Sequence, residues 1–183
     1  MVNRRPLGRS GRTISAIALG CANWGRDIDE ESSYRLMDYA VEKGITLFDT
    51  AESYGGGQSR QDRIDAMGVD DRREVSDEIS SSEKIIGRWL RRTCARDEVT
   101  IQTKVDTGGS AENIPKALGG SLERMRIDYV DIYLMHEPDP DTPIAETLEA
   151  MDAEVKSGRV NVIGGSNYTA EQLREALAAS ASG

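Results

Sequence analysis

At 183 residues, 38% of them hydrophobic, the chain is long enough for one domain with a buried core. A net charge of −9 and a mean hydropathy of −0.52 make it acidic and water-facing, which disfavours nucleic acid and anionic membrane as partners. No apolar run approaches the ~20 residues that cross a bilayer, and the basic opening MVNRRPLGRSGR has no apolar stretch behind it to form a signal peptide.

Five strand–helix units are predicted in series. SAIALG (15–20) is a short apolar strand bounded by turn residues. Residues 30–43 put Tyr34, Met37, Ala40 and Val41 at helical spacing, with Gly44 as the stop. ITLFDTA (45–51) is a strand, and the three glycines at 55–57 behind it look like a flexible turn. SSSEKIIGRWLRR (80–92) opens with a capping box, Ser80 to Glu83, and places Ile86, Trp89 and Leu90 on one face. VTIQTKV (99–105) is a strand, and residues 111–125 align Leu118, Leu122 and Met125 on a helical stripe. YVDIYLMH (129–136) is a strand. Thr142 and Pro143 then start a helix as N-cap and first residue, with Ile144, Leu148, Met151 and Val155 inward and Gly158 at its end. VNVIGGSN (160–167) is the last strand, and a Thr169-to-Gln172 capping box opens a helix carrying Leu173 and Leu177. The two cysteines, Cys21 and Cys94, belong to no CxxC pair and suit a reduced, cytoplasmic setting; no residue set is assigned to a metal.

Strict alternation of strand and helix implies parallel strands in an α/β fold, either an open doubly wound sheet or a (β/α) barrel. Both gather ligands at the carboxyl ends of strands. The residues there are Asp49, Lys104, His136 and the Ser166–Asn167 pair, with Tyr54 in the loop after the second strand. Each has a plainer reading. Asp49 serves as a turn cap, Tyr54 as loop packing, Lys104 as a solvated lysine, and His136 as a satisfied structural group. The glycines match neither GxGxxG nor a phosphate loop. Together, however, four ionisable or hydroxylic groups end successive units on one face, which independent accidents explain poorly.

RRPLGRSGRTISAIALG, FDTAESYGGG, IQTKV, DIYLMHEPD and GRVNVIGGSNY occur in this order. In that order they resemble the aldo-keto reductase family, a (β/α)8 TIM-barrel type of fold that reduces carbonyls with a nicotinamide cofactor. The resemblance implies an N-terminal β-hairpin plugging the barrel floor. Residues 1–183 then form one partial-barrel domain, five units of the eight that a barrel of typically about 250 residues requires. It implies that Tyr54 hands a proton to a substrate carbonyl oxygen as hydride reaches the carbon. Lys104 supplies an ammonium that favours the phenolate left behind, Asp49 pairs with Lys104, and His136 orients the substrate or shares the proton. Gly20, Cys21, Trp24, Asp49, Ser166 and Asn167 are the implied cofactor residues, with NADP(H) ahead of NAD(H), and a small-molecule carbonyl is the substrate. Trp24 is either an aromatic wall beside the cofactor or plain loop packing.

Three departures from the family pattern stand out. Residues 59–78 read as a charged insertion loop, a surface excursion or flap poor in apolar residues. The first loop reads GCANWG where a Thr often follows the first Gly. The chain closes at ASASG after the fifth unit, so the outer strands of an open sheet are expected to leave free edges and to favour self-association. Two other functions remain open at this stage: a non-catalytic remnant or interaction module with the same fold, and a barrel aldolase using Lys104 as a Schiff base.

Overall fold

The strands form where apolar and β-branched residues run together, and the helices where the apolar period lengthens to 3.6. The computed structural model describes residues 2–8 and 10–180; Met1, Arg9 and 181–183, with the closing residues of ASASG, lie outside the described residues. A two-stranded antiparallel hairpin comes first, β1 (Arg4–Pro6) with β2 (Thr13–Ser15), as expected of the N-terminus. Then β3 (Ala18–Gly20), β4 (Leu47–Asp49), β5 (Thr100–Val105), β6 (Val130–Met135) and β7 (Val160–Gly165) pair in parallel in that spatial order. The helices between and after them are α1 (Glu30–Glu42), α2 (Gly56–Met67), α3 (Ser81–Thr93), α4 (Asn113–Met125), α5 (Ile144–Lys156) and α6 (Ala170–Ser180). This is an α/β arrangement of five consecutive units, consistent with part of a (β/α)8 barrel. No helix among the described residues is long and apolar enough to cross a membrane.

Register sets which side chains share a face, because successive residues of a strand point to opposite sides. Asp49 lies level with Gln102, Gln102 with Ile132, and Ile132 with Val162; one pleat on, Lys104 lies level with Leu134, and Leu134 with Gly164. The intervening residues Ile101, Val105, Tyr133 and Met135 join Phe48 in the core, packed with Met37, Ile85, Ile86, Trp89, Ile114, Leu118 and Met125 of the helices. Phe48 and Trp89 meet with ring centroids 5.5 Å apart, and the Trp89 Nε1–H is satisfied by Asp38 at 2.8 Å.

The structure revises several expectations. The three glycines are not a flexible turn: Gly56 and Gly57 are buried in the first turn of α2. A Cβ on Gly56 would lie 2.0 Å from the Ser76 carbonyl oxygen and 2.1 Å from that of Gly25, so only glycine fits. The 59–78 stretch is not simply a loop either, since it is helical through Met67. Its return strap is tied down by opposite charges, Arg63 to Glu74 at 2.6 Å and Arg60 to Asp70 at 2.7 Å, and by backbone bonds from Val75 and Ser76 to Arg26 and Gly25. The Ser80–Glu83 capping box does not form; Ser80 makes no cap bond, and Glu83 is fully buried with partners elsewhere. At α5 the cap falls one residue later, on Pro143, because Thr142 Oγ1 donates to Asp139. The Thr169–Gln172 box does form, with bonds of 2.9 and 3.2 Å. Leu173 and Leu177 of α6 are 48% and 62% exposed.

Candidate active site

Lys104 reaches the site because residue 104 of β5 falls on the same side as Gln102, opposite the helix-facing Thr103. Its side chain is 5% exposed, and its Nζ lies 2.7 Å from Asp49 Oδ1 at the end of β4. The ammonium also donates to the Thr50 carbonyl at 2.9 Å and to the Tyr54 hydroxyl at 3.3 Å. Burying a charge is costly unless it is paired and hydrogen-bonded, and these contacts meet that demand. Gln102 Nε2 donates to the same Asp49 oxygen at 2.6 Å, fixing the carboxylate from below.

Tyr54 leaves the end of β4 on a short loop whose fold is set by the serines at the start of α3. Ser82 Oγ donates to the Cys21 carbonyl and meets Thr50 Oγ1, each at 2.8 Å. Ser81 Oγ donates to the Trp24 carbonyl at 2.8 Å and accepts from Gly56 N at 3.0 Å. The loops after β3 and β4 are thus stapled to one helix end, and the Tyr54 hydroxyl is carried to within 3.2 Å of His136 Nε2. The two rings meet edge to face, with centroids 5.3 Å apart. His136 Nδ1 lies 2.6 Å from Asp106 Oδ1, off the line of a hydrogen bond. The four expected groups therefore converge, and Lys104, 3.3 Å from the Tyr54 hydroxyl, lies inside the ~4–6 Å over which an ammonium acts strongly.

The cofactor-side residues divide. Ser166 and Asn167 follow β7, and Asn167, with φ of 61°, turns its Nδ2 back to the His136 carbonyl at 2.8 Å. Gly20 ends β3 with open space where a Cβ would stand. The Cys21 and Trp24 side chains are both buried, at 0% and 1% exposure, inside the core, and burial pushes the Cys21 thiol well above its ordinary range. Sequence reasoning missed Gln102, Asp106, Glu52, Ser81 and Ser82. Gln102 and Asp106 had a signal, since they stand two residues either side of Lys104 and so share its face.

The profile of the Aldo/keto reductase family matches residues 16–182. The chain belongs to the aldo/keto reductase family. It is 36% identical, over 94% of its length, to an uncharacterized oxidoreductase, YrpG, of Bacillus subtilis (strain 168), of which it covers 51%. It also resembles the crystal structure of a thermostable aldo-keto reductase, Tm1743, in complex with the inhibitor epalrestat. The TM-score is 0.75 at 31% identity, over 97% of this chain and 58% of that one. The aldo/keto reductase chain thus spans between half and three-fifths of the length of these relatives.

Proposed function

We propose that this chain carries the proton-transfer site of a reductase that converts an aldehyde or ketone to an alcohol, using NADP(H) ahead of NAD(H). The observation that carries the reading is the Tyr54 hydroxyl, held between the Lys104 ammonium at 3.3 Å and His136 Nε2 at 3.2 Å, with Lys104 anchored by Asp49. The nicotinamide, when bound, supplies the hydride. Tyr54 gives its proton to the carbonyl oxygen as negative charge develops there. Lys104 stabilises the phenolate left behind, Asp49 keeps the ammonium in place, and His136 orients the oxygen that Tyr54 protonates. An aldolase using Lys104 as a Schiff base fits less well, because its nitrogen is committed to Asp49, Thr50 and Tyr54.

The residues present fit the nicotinamide end of such a cofactor. Ser166 Oγ and Asn167 Oδ1 have no hydrogen-bond partner among the described residues, leaving a donor and an acceptor for a carboxamide. Gly164 and Gly165, exposed beside them, let a ligand approach the backbone. The free thiols Cys21 and Cys94 suit a reducing cytoplasmic setting, and the outer edges of β3 and β7, which pair with no strand among the described residues, suit self-association, both as parts of this proposal.

The test is NADPH oxidation against a panel of aldehydes and ketones, with NADH in competition, for the wild type and Tyr54→Phe. Loss of turnover by roughly 10²–10⁴-fold with cofactor affinity unchanged is expected, because the hydroxyl acts in proton transfer alone. Near-normal turnover in Tyr54→Phe would place the proton donor elsewhere. Absence of both NADPH binding and turnover on any carbonyl would leave the non-catalytic module, which has lost cofactor binding, as the correct reading.

A further inference from the structure

We propose that Asp106 is a positioning residue that sets the tautomer of His136 and, through it, the direction in which the Tyr54 proton points. His136 Nδ1 is buried and has no aligned hydrogen bond among the described residues; the Asp106 carboxylate oxygen Oδ1 lies 2.6 Å from it. A carboxylate accepts hydrogen bonds and donates none, so a proton on Nδ1 is stabilised there and a lone pair is repelled. A small rotation of the ring or the carboxylate aligns the pair. With the proton on Nδ1, the Nε2 lone pair faces the Tyr54 hydroxyl at 3.2 Å. Lys104 already donates to that hydroxyl oxygen at 3.3 Å, so the phenolic proton turns away from Lys104 and toward Nε2.

Asp106 is held where it is by a structure of its own. Glu52 Oε1 accepts from Asp106 N at 2.7 Å and from Thr107 N and Oγ1 at 3.0 Å each, pinning the turn after β5. Glu52 N in turn donates to the Lys104 carbonyl at 3.1 Å. The backbone of His136 is fixed on both sides, by its N–H to Val105 O at 3.0 Å and by Asn167 on its carbonyl. The ring is therefore pre-placed, and the remaining choice is which nitrogen carries the proton.

The chemical consequence follows from proton accounting, and it rests on the proposed function. After Tyr54 protonates the carbonyl oxygen it is a phenolate. The phenolate takes one proton back from solvent hydronium, which leaves water and restores the hydroxyl. Asp106 holds the neutral ring in the one tautomer that can accept at Nε2, so the restored O–H is directed to that nitrogen.

His136 is the only histidine in the chain, so a two-bond ¹H–¹⁵N spectrum of the ¹⁵N-histidine-labelled protein reads this tautomer from a single imidazole, without turnover. Tyr54 also favours the Nδ1–H form, so the clean comparison is made in the Tyr54→Phe background. There the neutral ring is expected to keep Nδ1 protonated. Adding Asp106→Ala should swing the ratio roughly tenfold or more toward Nε2–H, the size expected for a hydrogen bond to a charged group. Asp106→Ala keeps the backbone N–H bonded to Glu52, so the turn survives. Glu52→Ala, which frees the turn while leaving Asp106 present, should give a smaller swing in the same direction. An identical tautomer ratio in Tyr54→Phe and Tyr54→Phe/Asp106→Ala overturns the proposal. Because the spectrum needs neither cofactor nor substrate, that result is distinct from a failure of carbonyl reduction itself.

Discussion

Two adjacent residues of β5 bury charge on opposite faces of the sheet, and they do so differently. Lys104, on one face, joins Asp49, Tyr54 and His136 in a cluster whose hydroxyl and imidazole remain partly open. Thr103, on the other, donates to the fully buried Glu83 at 2.6 Å, and Glu83 receives Arg124 Nε at 2.6 Å. Arg124 also donates to Ser121 and stands 4.0 Å from Glu52. The second cluster is closed, and each charge in it has a partner. The difference separates two uses of one physical cost. A charge pair whose bonds are complete ties α3, α4 and β5 together. A pair that leaves a hydroxyl at its edge is the arrangement that the proposed proton transfer calls for.

The comparison is broken most sharply by replacing the open pair with apolar residues. Asp49→Leu combined with Lys104→Met should lower carbonyl reduction by at least the roughly 10²–10⁴-fold contribution of assisted proton transfer. Folding stability should stay level or rise by about 1–4 kcal/mol, because a buried ion pair seldom repays its desolvation against a well-packed apolar substitute. Urea unfolding alongside steady-state kinetics checks both halves; a large loss of stability would make the cluster a structural device. For the closed cluster the expectation reverses. Glu83→Ala leaves Arg124 and Thr103 without their acceptor, and the cost should be about 3 kcal/mol, at the lower end for a broken buried pair because Arg124 keeps contact with water. A fall in the urea midpoint with an unchanged slope is the expected signature.

The open cluster was legible in the sequence and the closed one was not, for a physical reason. Strand alternation with helices dictates that ligands meet strand ends, so Asp49, Lys104 and His136 could be picked out by position alone. Glu83 sits three residues after a serine at a helix start, and local rules assign it to a capping box. Its actual partners are 20 and 41 residues further along the chain, and no local pattern encodes that separation. The same limit explains the 59–78 segment. Its composition reads as a solvated loop, and its order comes from pairs such as Arg63 with Glu74 that close only once the helix has formed. The burial of Trp24 and Cys21 was hidden for a related reason, since a residue in a strand-end loop faces the site or the core according to packing, and here Ser81 and Ser82 bond the carbonyls of that loop.

Gly56 links the open cluster to the 59–78 segment, because it starts the helix that follows Tyr54 and packs against the strap of 68–79. Gly56→Ala drives a Cβ into two backbone carbonyls, neither of which is a movable side-chain tip. Overpacking of this kind costs about 2 kcal/mol. It should also displace Tyr54, so this variant is expected to lower stability and turnover together, whereas the two substitutions above separate them. Unchanged stability in Gly56→Ala would mean that the strap yields, and that its salt bridges do not hold it against the loop after β3.

The smallest effect belongs to a charge in neither cluster, and it sharpens the comparison as a control. Asp29 caps α1, its Oδ1 accepting from Ser32 N at 2.7 Å, and that bond holds its carboxyl below the ordinary aspartate value. A folded-state value lowered in this way contributes stability that is present above the unfolded pKa and is lost as pH falls through the folded one. The wild type should therefore lose part of its margin on the acid side of the usual carboxylate range, and Asp29→Ala should flatten that part of the profile while lowering stability slightly near neutrality. Asp29 is solvent-exposed, so added salt should shrink the electrostatic part of the effect. Turnover and the His136 tautomer should not move. Urea midpoints for both proteins between pH 3 and 7 test this. An acid slope unchanged by the substitution would assign the acid sensitivity to other carboxylates, with Glu30, also lowered by its bonds to Arg88 and Tyr34, the next to replace.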